Sequence, residues 1–162
     1  TNKPFYEISF DAWDSEDNYW IFQGNPNLFD FEKGFKEDLI DNWTVTTHKD
    51  KIKNGDKFII WLTGKNAGCY ALGEVTADPQ MIEKSKDDHL WNKDPKKRLI
   101  AGIKITHNLI DKPILKANII DLEELAGLKA GNQGTNFTLE KKEYLKFLEL
   151  ADLMNKKRYC IS

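Results

Sequence analysis

Two apolar runs separated by five residues constrain this chain more than any other feature. Residues 58–63 (FIIWLT) and 69–75 (CYALGEV) are rich in aromatic and β-branched side chains, and Gly64, Lys65, Asn66, Ala67 and Gly68 join them. That loop length suits a β-hairpin. Just upstream, Asn54-Gly55 supplies the positive φ needed to turn into the first run. The fold must therefore be built on a sheet, and strands this apolar require cover.

The flanking segments supply it. Residues 19–23 form a short aromatic and aliphatic run stopped by Gly24, Asn25 and Pro26, the pattern of a buried strand entering a turn. Leu28, Phe31, Phe35 and Leu39 then recur at steps of three and four between Glu32, Lys36, Glu37 and Asp38, which predicts an amphipathic helix over residues 28–40, weakened by Gly34. Trp43 and Val45 alternate as a brief strand would, and residues 48–52 are long enough for one helical turn. Downstream, Pro79 is expected to end the hairpin unit. Residues 83–97 are charged, carry Trp91 and show no period, so they read as a long loop.

Residues 99–106 alternate as a strand, with residues 114–120 a weaker strand candidate. A short helix is expected over residues 121–128, capped by Asp121. A polar loop follows at residues 131–136. Thr138 would then cap a closing helix with Tyr144, Phe147, Leu148, Ala151 and Met154 on one face. This inventory predicts an α/β (α+β) domain with a small, mostly antiparallel, closed sheet and helices on its rim. Residues 4–18 mix rings with acids and suggest an arm laid against the core.

At 162 residues and 40 % apolar content the chain suffices for one domain without metal or disulfide staples. The longest apolar run, residues 58–62, is too short to span a bilayer, so no membrane role is expected. Cys69 and Cys160 make neither a disulfide framework nor a metal motif, which points to a reduced, cytoplasmic setting with no metal or cofactor. The chain begins at Thr1, which suggests excision from a longer multidomain protein. A net charge of −2 argues against bulk electrostatic binding of nucleic acid. Local clusters stand out nonetheless: Lys49, Lys51, Lys53, Lys57 and Lys65, then Lys93, Lys96, Lys97 and Arg98. The plainer reading of each is a solvated face.

Catalytic motifs are absent. There is no GxSxG elbow, and the glycine loop at residues 64–68 lacks phosphate-loop spacing. His48, His89 and His107 lie among ordinary polar residues, and no carboxylates pair in an apolar setting, so the sequence does not read as an enzyme. Tryptophan is the unusual feature. Of five, Trp43 and Trp91 sit in polar surroundings, where a ring is either a satellite of the core or a platform on which a nucleobase stacks. Trp20 and Trp61 lie inside predicted strands, where the core is the favoured place.

Taken in order, Tyr19-Trp20-Ile21, Trp43-Thr44-Val45 through His48-Lys49, Ile52 to Phe58 with its Asn54-Gly55-Asp56, Trp61-Leu62-Thr63-Gly64 through Gly68, and Gly73-Glu74-Val75 resemble an EVE domain. The resemblance continues through residues 99–105 and Gly134-Thr135-Asn136-Phe137 into the last helix. Its nearest form is the kind fused to McrBC-type modification-dependent restriction proteins. It implies an arm at residues 1–18, an EVE domain at residues 19–154 and a tail at residues 155–162. EVE domains belong to the PUA-like superfamily, related to YTH domains, whose fold is a small twisted β-barrel with flanking short helices. Members commonly hold a modified base in an aromatic pocket, and those acting on duplex DNA flip it from the stack.

Carried across by position, the resemblance implies a cage of Trp43, Trp91 and Trp61, with Thr44 in the place where YTH domains put Ser or Thr after a cage tryptophan. Base-edge contacts would come from Gln23, Asn25, Asn27 and Thr44. Common EVE proteins have Lys-Ser-Glu-Pro where this chain has Gln-Gly-Asn-Pro, so base identity does not transfer. Phosphates would be held by His48, Lys49, Lys65, Asn66, Lys93, Lys97, Gln133 and Thr135. The implied function is a non-enzymatic module that flips and reads a modified, methylated base in DNA for a restriction system, with a fused or partner nuclease or NTPase subunit. The alternatives are a YTH-like reader of modified RNA, and a small-molecule-binding or hydrolytic enzyme of PUA-like type.

Overall fold

A computed structural model describes residues 18–82, 90 and 98–161, with side chains as far as Asp152. In chain order the elements are β1 (Tyr19–Gly24), α1 (Phe31–Lys36), β2 (Asn42–Thr44), β3 (Lys57–Leu62), β4 (Gly68–Ile82), β5 (Arg98–Asn108), β6 (Ile114–Leu115), α2 (Lys116–Ile119), a 3-10 turn (Glu123–Leu125), β7 (Asn136–Leu139) and α3 (Lys141–Ile161). The expected hairpin, β3 and β4, lies at the middle of one sheet ordered β2-β5-β4-β3-β1-β7, with the short β6 paired to β4. β1 runs parallel to β3, Tyr19 opposite Lys57 through Gly24 opposite Leu62, and every other pairing is antiparallel.

The end strands β2 and β7 are joined by a side chain instead of a ladder. Asn136, at the start of β7, accepts from the Thr46 and Thr47 N–H groups through Oδ1 (2.7 and 3.3 Å) and donates from Nδ2 to the Thr44 carbonyl (3.1 Å). The Thr47 hydroxyl adds a bond to the Asn136 carbonyl at 3.0 Å. One buried amide thus satisfies backbone groups that a closed barrel would pair strand to strand. The result is the twisted PUA-like arrangement with helices at its margin.

Alternation along the strands sorts side chains into two cores. Trp20, Phe22, Phe58, Ile60, Leu62, Ala71 and Val75 face inward, where Phe29, Phe31, Phe35 and Trp43 join them. Tyr19, Ile21, Ile59, Trp61, Cys69 and Leu72 face the other way, against Tyr144, Phe147 and Ala151 of α3. Both faces of β1 and β3 are buried, which is why those strands read as continuous apolar runs. Inside the first core Asp56 is 3 % exposed and accepts from Trp20 Nε1 (2.8 Å) and from the N–H groups of Lys53 (2.9 Å) and Asn18 (3.2 Å). A buried carboxylate so furnished fixes the turn before β3.

Several expectations are corrected. The helix predicted over residues 28–40 contracts to Phe31–Lys36, because Asp30 caps it by accepting the Lys33 N–H at 3.1 Å and Leu28 falls outside it. Residues 48–52 do close one turn, the Ile52 N–H donating to the His48 carbonyl at 3.1 Å, with His48 at a φ of 59°. Pro79 does not end β4. It sits where the register with β5 slips between Ala77 and Gln80, a place with no ladder bond for proline to break. Residues 114–120 divide into β6 and α2, and the predicted cap Asp121 lies ahead of a 3-10 turn that has no side-chain cap. Thr138 belongs to β7. The closing helix starts at Lys141, with the Glu143 carboxylate accepting the Glu140 N–H at 2.9 Å, and it runs on to Ile161 through the expected tail. The arm and most of the charged loop lie outside the described residues. Among the described residues no helix is long and apolar enough to cross a membrane.

Candidate functional site

A cleft of about 600 Å³ opens where β1 runs out of the sheet. Its walls come from Gln23, Gly24 and Asn25 at the end of β1, Asn42, Trp43 and Thr44 of β2, Leu28, Phe29 and Phe31 at the entry to α1, Ile40, Thr63, and residues 132–135. Among the described residues none of these side chains is charged or titratable. Phe29, Phe31, Ile40 and Trp43 are buried in its wall together with Gln23 and Asn42, whereas Asn25, Leu28, Asn132 and Gln133 are exposed.

Three local devices hold this shape. The Gln23 amide grips the loop before β7: Nε2 donates to the carbonyls of Asn132 (2.7 Å) and Gly134 (3.1 Å), Oε1 accepts from the Gly131 N–H (2.7 Å), and the Gln23 N–H donates to the Thr135 carbonyl (2.7 Å). Gly134, at a φ of 141°, and Gly131, at 92°, give that loop conformations L side chains rarely adopt. Gly24 leaves room for Phe31, since a Cβ there would collide with the ring. Trp43 is 6 % exposed and stacks on Phe31, ring centroids 5.5 Å apart, and on Phe22, 6.2 Å apart. Asn42 donates its amide to Asp41 Oδ1 at 2.9 Å.

The structure brings together six of the residues singled out in the sequence, namely Gln23, Asn25, Trp43, Thr44, Gln133 and Thr135. Gln23 does so chiefly as a brace, its amide already committed to the loop. Asn27, Lys65 and Asn66 line a second depression of about 1160 Å³ that shares Asn25, Phe29, Phe31 and Thr63 with the cleft. This groove carries Asp30, Glu32 and Asp111 against Lys36 and Lys65, and Lys36 is held by Glu32 at 2.9 Å. Contact with Glu32 also raises the Lys36 pKa.

Other residues lie elsewhere. Trp61 is 1 % exposed on the helix side of the sheet and does not reach the cleft, because its strand neighbours Ile60 and Leu62 take the inward face. His48 packs its ring against Trp20 at 5.1 Å, and Lys49 is exposed; neither lines the cleft. Trp91, Lys93 and Lys97 lie outside the described residues. Sequence reasoning missed Phe31, Asn42 and Asn132. Phe31 was absorbed into a helical period, although its place directly after a capping aspartate was a signal.

The fold is similar to a hypothetical protein of Leishmania major (14 % identity, 86 % of this chain and 98 % of that one, TM-score 0.61). It is also similar to a Pseudomonas putida protein (11 %, 82 % and 99 %, 0.59). A third similar structure is human THYN1 protein in complex with 5-methylcytosine containing DNA (14 %, 83 % and 98 %, 0.55). At such identities the likeness concerns the fold. No curated protein matches the sequence. The model of the EVE domain matches residues 18–150, and the chain therefore belongs to the EVE domain family.

Proposed function

We propose that this domain reads a modified base in DNA, holding it in the cleft between β1, β2 and the loop before β7. One observation carries the reading: the described lining of the cleft is uncharged and combines aromatic rings with amides and hydroxyls. A neutral flat heterocycle with hydrogen-bonding edges fits those surfaces, whereas a charged metabolite would find no counter-ion there. The volume falls inside the range of about 300–1,000 Å³ common for small-ligand sites. Human THYN1 protein, which shares the fold, is in complex with 5-methylcytosine containing DNA, and that supports the class of ligand.

In this reading the base leaves the duplex and stacks on Trp43. Sandwiching it against Phe31 needs about 7 Å between rings, two aromatic contact layers, so entry displaces Phe31 from its present 5.5 Å. Trp91 is the further wall. Asn25, Thr44, Gln133 and Thr135 read the edges while Gln23 holds the loop in register, and Lys49, Lys65, Lys93 and Lys97 meet phosphates. A buried methyl contributes only about 0.8 kcal/mol, and a mispaired buried edge costs about 1–3 kcal/mol, so selectivity rests on both. The domain would then direct a fused or partner nuclease or NTPase to modified sites.

Anisotropy titrations with duplexes carrying 5-methylcytosine, N6-methyladenine or neither test this. The expected result is preference for one modified duplex by about tenfold, on the order of 1.4 kcal/mol, with Thr44→Val reducing the preference while leaving the unfolding midpoint unchanged. Trp43 is too buried for its removal to be a clean probe. Equal affinity for all three duplexes would sink the proposal, and tighter binding of a modified single-stranded RNA at matched salt would replace it with RNA reading.

A further inference from the structure

We propose that Leu28 is the wedge that enters the DNA stack when the cleft takes up a base; this rests on the base-reading function above. Taking a base out of a duplex leaves a gap between two base pairs, and an apolar side chain of leucine size can fill it by contacting both faces. The turn at the mouth of the cleft presents such a side chain. Leu28 is 55 % exposed although the helical period of its neighbours predicts burial, and it lines the cleft in which the extruded base would sit. Met81 and Ile120 are similarly exposed but lie away from the cleft.

Rigidity separates this leucine from an ordinary surface residue. Asn25 Oδ1 accepts the Asn27 N–H and the Asn25 carbonyl accepts the Leu28 N–H, both at 2.9 Å, while Pro26 fixes the φ between them. On one side the Gly24 carbonyl is held by the Thr63 N–H at 3.0 Å. On the other, Phe29 is 3 % exposed and packs on Phe31 at 4.7 Å. A wedge needs such a mount, because a flexible loop would yield instead of parting the stack. The same turn places Asn25 in the cleft wall, so the residue that reads and the residue that fills move as one body.

The test compares the native chain with Leu28→Ala and Leu28→Phe on three probes: the preferred modified duplex, its modified strand alone, and that strand paired opposite an abasic site. Leu28→Ala is expected to weaken the intact duplex about tenfold and to leave the single strand within about twofold, because only the duplex has a gap to fill. Leu28→Phe should restore duplex binding, and Leu28→Ala should weaken the abasic duplex less than the intact one, because no base pair has to be broken there for the base to leave the stack. Unchanged duplex binding by Leu28→Ala overturns the wedge, as does an equal loss on the single strand, which would make Leu28 part of the cleft wall. If the native chain prefers the modified duplex and Leu28→Ala keeps both that affinity and that preference, the wedge fails and base reading stands. If the native chain does not prefer the modified duplex, both fail.

Discussion

The two faces of the sheet use the same strands and reach opposite ends. On the helix side, Ile21, Ile59, Trp61 and Leu72 meet α3 through Tyr144, Phe147 and Ala151, and the layer is closed. On the inward side, Phe22, Phe58 and Ile60 meet Phe31, Phe35 and Trp43, and the layer opens into the cleft where β1 ends. The first is closed chiefly by apolar packing, with the His107–Asp152 pair at 3.3 Å tying β5 to α3. The second is held at its mouth by two amides, Gln23 on the loop and Asn136 on β2. Apolar packing is roughly non-directional and fills space, whereas hydrogen bonds fix orientation while leaving a gap open. In the proposed reading, that difference puts base recognition on one face and stability on the other.

The largest test of this division is Phe147→Ala. The ring is fully buried under α3, and removing it should cost about 3–5 kcal/mol by lost transfer and by the cavity left behind. Urea unfolding measures the loss, and the base preference of the remaining folded protein should equal that of the native chain. A changed preference would mean that the helix side shapes the cleft after all.

Asn136→Ala should reverse the pattern. It removes the acceptor for Thr46 and Thr47 and the donor to Thr44 in one step, costing about 1–3 kcal/mol, but it also unties β2 from β7 and lets Thr44 drift from the loop. Binding should fall further than stability does, with faster hydrogen exchange at the Thr46 and Thr47 amides. Asn136→Asp sharpens the point. It keeps an acceptor for both amides but sets an oxygen against the Thr44 carbonyl in place of the donor, so exchange at Thr46 and Thr47 should stay slower than in Asn136→Ala while binding still drops.

The same contrast explains what the sequence disclosed. Hairpin strands β3 and β4 were legible because burial on both faces leaves unbroken apolar runs, and α3 because Tyr144, Phe147 and Ala151 keep one helical face. Strand β7 was not, since Asn136-Phe137-Thr138-Leu139 is short and polar and is recruited by β1 and by its own amide side chain. Gln23 was visible as a polar group at a strand end, but its bonds run to residues more than a hundred positions away, which no local pattern encodes. Leu28 misled for a related reason. Its spacing fits the helix, while Asp30 sets the start of α1 after it.

The smallest expected effect is alkaline. Cys69 and Tyr144, both deep on the helix side, have pKa values raised above their ordinary 9.0 and 10.0, chiefly because burial disfavours the charged forms, with Tyr19 and Glu74 adding to the effect on Tyr144. Below pH 9 the folded and unfolded chains both keep these protons, so neither group makes stability depend on pH. Above it the unfolded chain releases the Cys69 proton and the folded chain does not, which favours unfolding; Tyr144 joins above pH 10. The Cys69 contribution should reach about 1.4 kcal/mol of lost stability at pH 10. Unfolding midpoints measured from pH 7 to 10 should therefore stay level to about pH 9 and then decline, and Cys69→Ala should flatten the early part of that decline whatever it does to stability at neutral pH. An unaltered slope in that variant would mean the thiol is open to solvent, and the helix side less completely sealed than its packing implies.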